Sequence, residues 1–357
     1  MFSDSRIQGR ASKVRSPSIQ VGTLKLTHPV GWTFLRAAAI LVCIIGSLEV
    51  AGRTGVILPY VLRPMISGHV GIGPRLEMIA DIERTEGPID CFLIGSSIVY
   101  RGIDPRIISQ ALTAGSGRTT RCYIFGLAGL NYTGATRLAA ILATRYHPRL
   151  IIYPLNYRDS HGFNLKVPWA NQQLGEPSFQ GWMESESMTY RYLLGLGPEA
   201  MPLQPLLPPD YSYRYGFIPT NRKSDVSEVP VEGGFYQTWK DFQRRNRDVL
   251  FTRLDSFLSL KSTGVSLVIV SMPVPPSVLR ISADEARTYQ EFIRRLSDES
   301  WQRGVPFVPA PPDSLIPANG WKDYLHMNQV GADAYSPWLG GQLVDLMRQG
   351  AISDAGN

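Results

Sequence analysis

The sequence predicts an α/β domain built on a five-stranded parallel sheet and preceded by one transmembrane helix. Short apolar runs bounded by turn residues alternate with helix-length amphipathic segments, the pattern of parallel strands joined by helical crossovers. An unbroken apolar stretch lies near the N-terminus, and the residues with chemical potential fall directly after the strand-like runs.

A chain of 357 residues, 44% hydrophobic and 18% charged, can bury a full core and is neither disordered nor fibrous in composition. Its net charge of +6 is spread along the chain. No zinc-finger, helix-turn-helix or RNA-binding aromatic motif accompanies that charge, so nucleic acid is not an expected partner. With three cysteines, one of them in the apolar stretch, disulfides do not organise the fold. No Cys–His spacing suggests zinc, and neither a metal nor a cofactor is expected. Cys91 and Cys122 each open a strand-like run and become neighbours if those strands pair.

Residues 1–29 form a basic tail in which Arg6, Arg10, Lys13, Arg15 and Lys25 face a lone Asp4. The stretch Val30 to Leu48 is long enough to cross a hydrocarbon core of about 30 Å, with Arg36 able to snorkel to the headgroups. We assign 30–50 as a transmembrane anchor. The positive-inside rule keeps the tail in the cytoplasm and sends the rest across a bacterial inner membrane into the periplasm. A cleaved signal peptide is the competing reading, disfavoured by the long basic region and the lack of a small-x-small cleavage site.

Residues 51–87 carry scattered Gly and Pro and read as a stalk, 88–349 as the main domain, and 350–357 as a tail. Within the domain, Cys91–Ile94 is a strand, 105–112 a helix, Cys122–Phe125 a strand, 133–146 a helix and Leu150–Tyr153 a strand. An insertion over about 160–234, rich in Pro and aromatics including Trp169, Trp182, Tyr211, Tyr213 and Tyr215, reads as a cap. Its aromatic faces either stack on sugar rings or pack as an ordinary lid. An amphipathic helix over 235–260 follows, then a strand at Val265–Val270. A helix follows that strand, with Ser282 and Glu285 as its capping box and Gly304 at its close. Val305–Val308 is the fifth strand, and an amphipathic helix containing Gly331 ends the domain.

In an open parallel sheet, ligands bind beyond the carboxyl ends of the strands. Ser97 follows the first strand, Gly126 and Gly129 the second, Asn156 the third, and Asp323 with His326 the fifth, so all fall at one edge. A hydroxyl, an imidazole to take its proton and a carboxylate to orient the imidazole are the parts of nucleophilic acyl transfer. Asp323 has a simpler role open to it as the cap of the helix that begins nearby.

These residues resemble the four blocks of the SGNH, or GDSL-type, hydrolase superfamily over about Pro88 to Leu346. Gly95-Ser96-Ser97 resembles the Gly-Asp-Ser block with Ser96 in place of Asp. Gly126-Leu-Ala-Gly129 resembles the glycine block, Pro154-Leu-Asn156 the asparagine block, and Asp323-Tyr-Leu-His326 the terminal Asp-x-x-His. The resemblance implies a flavodoxin-like three-layer domain with Ser97 as nucleophile, His326 as base and Asp323 as its orienting acid. It implies an oxyanion hole from the N–H groups of Ser97 and Gly129, with Gly126 the alternative glycine, and the Asn156 amide. Arg101 and His161 are candidate substrate-binding residues, and His147 reads as a helix terminus.

The expected activity is that of a membrane-anchored serine esterase or O-acyltransferase acting on acyl groups of an extracytoplasmic glycan or envelope polymer, with a membrane protein as the candidate acyl-donor partner. The loosened blocks resemble membrane-anchored branches of the superfamily that act on exopolysaccharide. The alternative is a non-catalytic polysaccharide-binding protein of an export assembly.

Overall fold

The computed structural model describes residues 29–53, 72–156, 159, 214–227, 251 and 254–352. The chain divides into two compact units, Met1–Leu48 and Glu49–Asn357. Helix α1, Pro29–Arg53, has 25 residues. Its side chains are described from 31 to 47, and Trp32, Phe34, Leu35, Ile40, Val42 and Ile44 among them are exposed. Among the described residues no helix is long and apolar enough to cross a membrane.

The second unit is a parallel sheet with helices on both faces. Its strands are β1 (Cys91–Gly95), β2 (Cys122–Gly126), β3 (Leu150–Leu155), β4 (Ser266–Ser271) and β5 (Phe307–Val308), in the order β2-β1-β3-β4-β5. Every pairing is parallel. The strands read as continuous apolar runs because both faces are covered. Phe92, Ile94, Tyr123, Phe125, Ile151 and Ile269 enter one core, while Leu93, Ile124, Ile152, Val268 and Val270 enter the other. Cys91 and Cys122 stand opposite each other across the β1–β2 pair, as expected. Both are buried free thiols, and burial followed by the neighbouring Cys122 thiol pushes Cys91 well above an ordinary thiol.

Helix α2 (Ile72–Glu86) precedes the sheet. This corrects the stalk reading over 72–86, while 54–71 lie outside the described residues: Met78, Ile79 and Ile82 form a buried stripe in the core with Tyr123 and Phe125. The Gly73-Pro74 pair that suggested irregular chain sits in the first turn of the helix, where a proline ring costs no hydrogen bond. Helices α3 (Ser97–Gly102), α4 (Pro105–Ser116) and α5 (Tyr132–Tyr146) follow their strands, α5 ending at His147 in the left-handed region with φ 47.

After β4 come the short α6 (Pro276–Leu279) and then α7 (Ala283–Gln302), the latter starting directly after Ser282; the Glu285 side chain lies outside the described residues. Helix α8 (Gln329–Arg348) closes the domain. Strand β5 is shorter than the expected 305–308 because Pro306 has no N–H for the ladder and gives only its carbonyl, to Ile269 N–H at 3.0 Å. Of the expected helix over 235–260, residue 251 and residues 254–258 are described and helical, with Leu254, Phe257 and Leu258 in the core.

Most of the proposed cap lies outside the described residues, Trp169, Trp182, Tyr211, Tyr213 and His161 included. Its returning end, 214–227, lies along the outer edge of β2, where Ile124 N–H donates to Tyr215 C=O at 2.9 Å. One N–H on the open side of the edge strand is thereby paired. Tyr215, read as a candidate sugar-stacking face, is instead buried with its hydroxyl on Glu86. The same carbonyl edge takes Arg75, whose buried guanidinium donates to Ile124 C=O at 3.3 Å.

Gly216 makes this close approach possible. Its φ is +84, and a Cβ there would lie 2.1 Å from Ile124 C=O. Gly216→Ala should therefore destabilise the domain by roughly 1–3 kcal/mol, read as a lower urea midpoint at unchanged slope. A midpoint equal to wild type would contradict this packing.

Candidate active site

The order 2-1-3-4-5 places its switch point between β1 and β3, where the two following loops part and leave a crevice. Ser97 follows β1 and Asn156 follows β3, so the two flank that crevice. Gly-Ser-Ser divides its work between its serines. Ser96 is buried and caps α3, its hydroxyl accepting from Ile98 N–H at 3.4 Å, which leaves Ser97 as the first helical residue. Ser and Asp are both strong N-cap residues, so Ser96 keeps the cap that an Asp would supply. The backbone N–H of Ser97, at the first position of a helix, has no intrahelical acceptor.

The second half of the site is a tight loop closed by the antiparallel bridge Trp321–Met327. Inside it Lys322 N–H donates to His326 C=O at 2.8 Å. The Asp323 carboxylate takes Leu325 N–H at 3.0 Å and His326 N–H at 2.9 Å on Oδ1. An Asp that gathers N–H groups two and three residues ahead makes its own turn, and that turn swings the His326 ring back over it. His326 Nδ1 lies 2.9 and 3.0 Å from the two Asp323 oxygens, and Nε2 lies 2.8 Å from Ser97 Oγ.

Burial acts to raise the Asp323 carboxyl, but the hydrogen bond and charge of His326 and the backbone N–H groups outweigh it and hold the carboxyl well below the usual range. An ionised carboxylate only accepts, so Nδ1 carries the ring proton and Nε2 presents its lone pair to the Ser97 hydroxyl. Lys322 Nζ stands 3.5 Å from Asp323 Oδ2. The helix that begins nearby is capped by Asn328, not by Asp323. Asn328 Oδ1 accepts from Gly331 N–H at 3.2 Å, and Nδ2 donates to Asn319 C=O at 2.7 Å and Trp321 C=O at 3.3 Å. Asn328 thus ties the start of α8 to the loop that carries His326, a role the sequence reading missed. Gly331 serves the same junction, since a Cβ there would lie 2.2 Å from Gly320 C=O.

Of the other expected residues, Gly129 sits in the turn after β2 with φ +68, where Leu130 N–H donates to Leu127 C=O at 3.0 Å. Gly126 is the last residue of β2, paired with Gly95, and the Tyr100 ring fills the space beside it. Gly129 is therefore the glycine in the loop, and Gly126 the glycine of the strand. Asn156 is buried at the end of β3, its N–H donating to Asp159 Oδ2 at 2.9 Å. Arg101 lies on α3 with its guanidinium carbon 5.6 Å from the centre of the Tyr100 ring. His161 lies outside the described residues.

No known family model matches the sequence, and no curated protein sequence matches it. Among solved structures it is similar to a protein named as an acylhydrolase from Bacteroides fragilis, at 11% identity and a TM-score of 0.35, over 77% of this chain and 95% of that one. It is also similar to one named as a GDSL-like lipase from Parabacteroides merdae, at 13% identity and a TM-score of 0.37, over 72% of this chain and 97% of that one. The chemistry of the site rests on its own geometry.

Asn328→Ala removes a helix cap and a tie to the loop together. It should cost about 1–2 kcal/mol of stability, measured by chemical denaturation. An unchanged stability would show that the loop is held elsewhere.

Proposed function

We propose that the protein is a serine esterase or O-acyltransferase of the SGNH type, and the observation that carries this reading is the chain of contacts from Ser97 Oγ through His326 to Asp323. Ser97 Oγ attacks the ester carbonyl carbon while His326 Nε2 takes the hydroxyl proton, and Asp323 stabilises the imidazolium that forms. The N–H groups of Ser97 and Gly129 and the Asn156 amide receive the oxyanion, each such donor contributing about 3–4 kcal/mol. Collapse breaks the bond to the alcohol, which leaves with the proton from His326. The acyl group stays on Ser97 as an ester. Water resolves it in hydrolysis and a sugar hydroxyl in transfer, with His326 again taking the attacking proton.

The substrate we assign is an acylated extracytoplasmic glycan or envelope polymer, and the reason is α1. The described residues alone do not make a spanning helix, but in the sequence this segment carries the apolar stretch Val30 to Leu48, long enough for a hydrocarbon core of about 30 Å. Its described apolar side chains are exposed around the helix rather than along one stripe. Basic residues precede it and orient it with the N-terminus cytoplasmic. The Glu49–Asn357 unit then works outside the cytoplasm of a bacterium, where a membrane protein can hand it the acyl donor.

Three outcomes are expected. A fluorophosphonate probe labels wild type at the peptide containing Ser97 and leaves Ser97→Ala unlabelled; labelling that survives in Ser97→Ala overturns the nucleophile, and glycan binding without labelling or turnover would favour the assembly-protein reading. Asp323→Asn lowers kcat on a chromogenic ester by about 10⁴-fold, and a loss under tenfold would remove Asp323 from the mechanism. The chain partitions into membranes, resists alkaline carbonate and is released by deletion of residues 1–53; extraction of the intact chain by carbonate contradicts the anchor.

A further inference from the structure

Residues 214–227 return from the insertion and hydrogen-bond, through the backbone, to each element that carries a residue of the triad. Ile218 N–H donates to Tyr100 C=O at 2.7 Å, one turn after Ser97 on α3. Thr220 C=O accepts from Gln329 N–H at 2.9 Å, at the first residue of α8, and Ser224 N–H donates to Trp321 C=O at 3.2 Å, where the His326 loop closes. Ile218 and Val226 are buried in the same core as Tyr100, Trp321 and Met327. At its start the segment is fastened to α2. Arg214 donates to Glu86 Oε1 at 2.6 Å, to Asp81 Oδ2 at 2.8 Å and to Thr85 Oγ1 at 2.6 Å.

This arrangement supplies what the site's own local bonds do not. The turn at Asp323, the Trp321–Met327 bridge and the Asn328 cap fix the His326 loop internally and to α8. None of these bonds reaches α3, which the loop meets through the Met327 side chain packed beside Gly102. Among the described residues no backbone hydrogen bond runs directly between α3 and residues 320–329, whereas residues 218–224 bond to both.

We propose that residues 214–226 are a positioning strap that holds the His326 loop in register with the Ser97 helix, and that the Gln329–Thr220 hydrogen bond is its joint at the base of the site. The proposal rests on the esterase reading for its kinetic consequence. Catalytic contacts lose rate steeply with displacements near 1 Å, and His326 takes the attacking proton in both half-reactions, so slack in the strap slows acylation and deacylation alike while leaving substrate binding almost unchanged. The strap is also where the insertion rejoins the domain, so residues remote from the triad in sequence set its geometry.

The joint can be cut with one atom. Gln329 is the first residue of α8, where a missing N–H breaks no helical bond, and Asn328 before it is extended at φ −96 and ψ −171, a conformation allowed before proline. Gln329→Pro thus deletes the N–H that reaches Thr220 and spares the helix. Gln329→Ala keeps that N–H and shares the loss of the side-chain bond to Asp333. The expected result is a kcat about tenfold lower in Gln329→Pro than in Gln329→Ala, with KM within about twofold, equal slowing of fluorophosphonate labelling, and melting temperatures within about 2 °C of each other. Equal kcat in the two variants overturns the strap. A wild-type protein without Ser97-dependent turnover overturns the esterase reading instead. The strap is then judged by amide hydrogen exchange over 322–328, which should quicken in Gln329→Pro alone; unchanged exchange refutes it.

Discussion

The hydrogen bond between Ser97 Oγ and His326 Nε2 joins residues 229 positions apart, and the architecture is best understood as the means of making it. A parallel sheet with the order β2-β1-β3-β4-β5 sends the loops after β1 and β3 apart, and Ser97 opens into that gap because Ser96 starts a helix immediately beyond the strand. His326 arrives from the far end of the sheet, in the loop between β5 and α8. A hydroxyl and an imidazole gain little from one such bond in water. What brings them together is the burial of two cores on which both elements are built.

The site divides into parts that make themselves and parts that must be held. Asp323, Leu325 and His326 form a turn whose bonds all lie within three residues, so the orientation of the imidazole is encoded locally. Its distance from Ser97 is not. That distance depends on Asn328 and Gly331 at the head of α8 and on backbone bonds from a segment more than 90 residues upstream. Local turns specify direction, and long-range packing specifies register.

That division explains what could be read from the sequence. Strands covered on both faces appear as apolar runs, so β1 to β4 were legible to within a residue or two, and the polar residues that follow them marked the reactive edge. Asp323 and His326 were legible because their spacing is the geometry. Helix α2 was hidden behind Gly73-Pro74, although its Leu76, Ile79 and Ile82 carry helical spacing. The fifth strand was overcounted because Pro306 offers a carbonyl but no N–H. Residues 218–224 reach the elements of the triad through backbone N–H and C=O groups that every residue type possesses, so no side-chain pattern announces that contact; Gly216, with φ +84, marks the turn that leads into it. Tyr215 misled for a related reason, as an aromatic ring with a polar tip suits a sugar face and a buried bond to Glu86 equally well.

In the proposed reaction Ser97 carries the acyl group between two half-reactions, and that intermediate can be trapped. Wild-type protein mixed with a chromogenic acetyl ester and quenched in acid within milliseconds should show a burst of alcohol close to one equivalent per chain, with the added acetyl mass on the peptide containing Ser97. Turnover with no burst and no adduct at Ser97, or an adduct on another residue, would rule out an acyl-enzyme at Ser97.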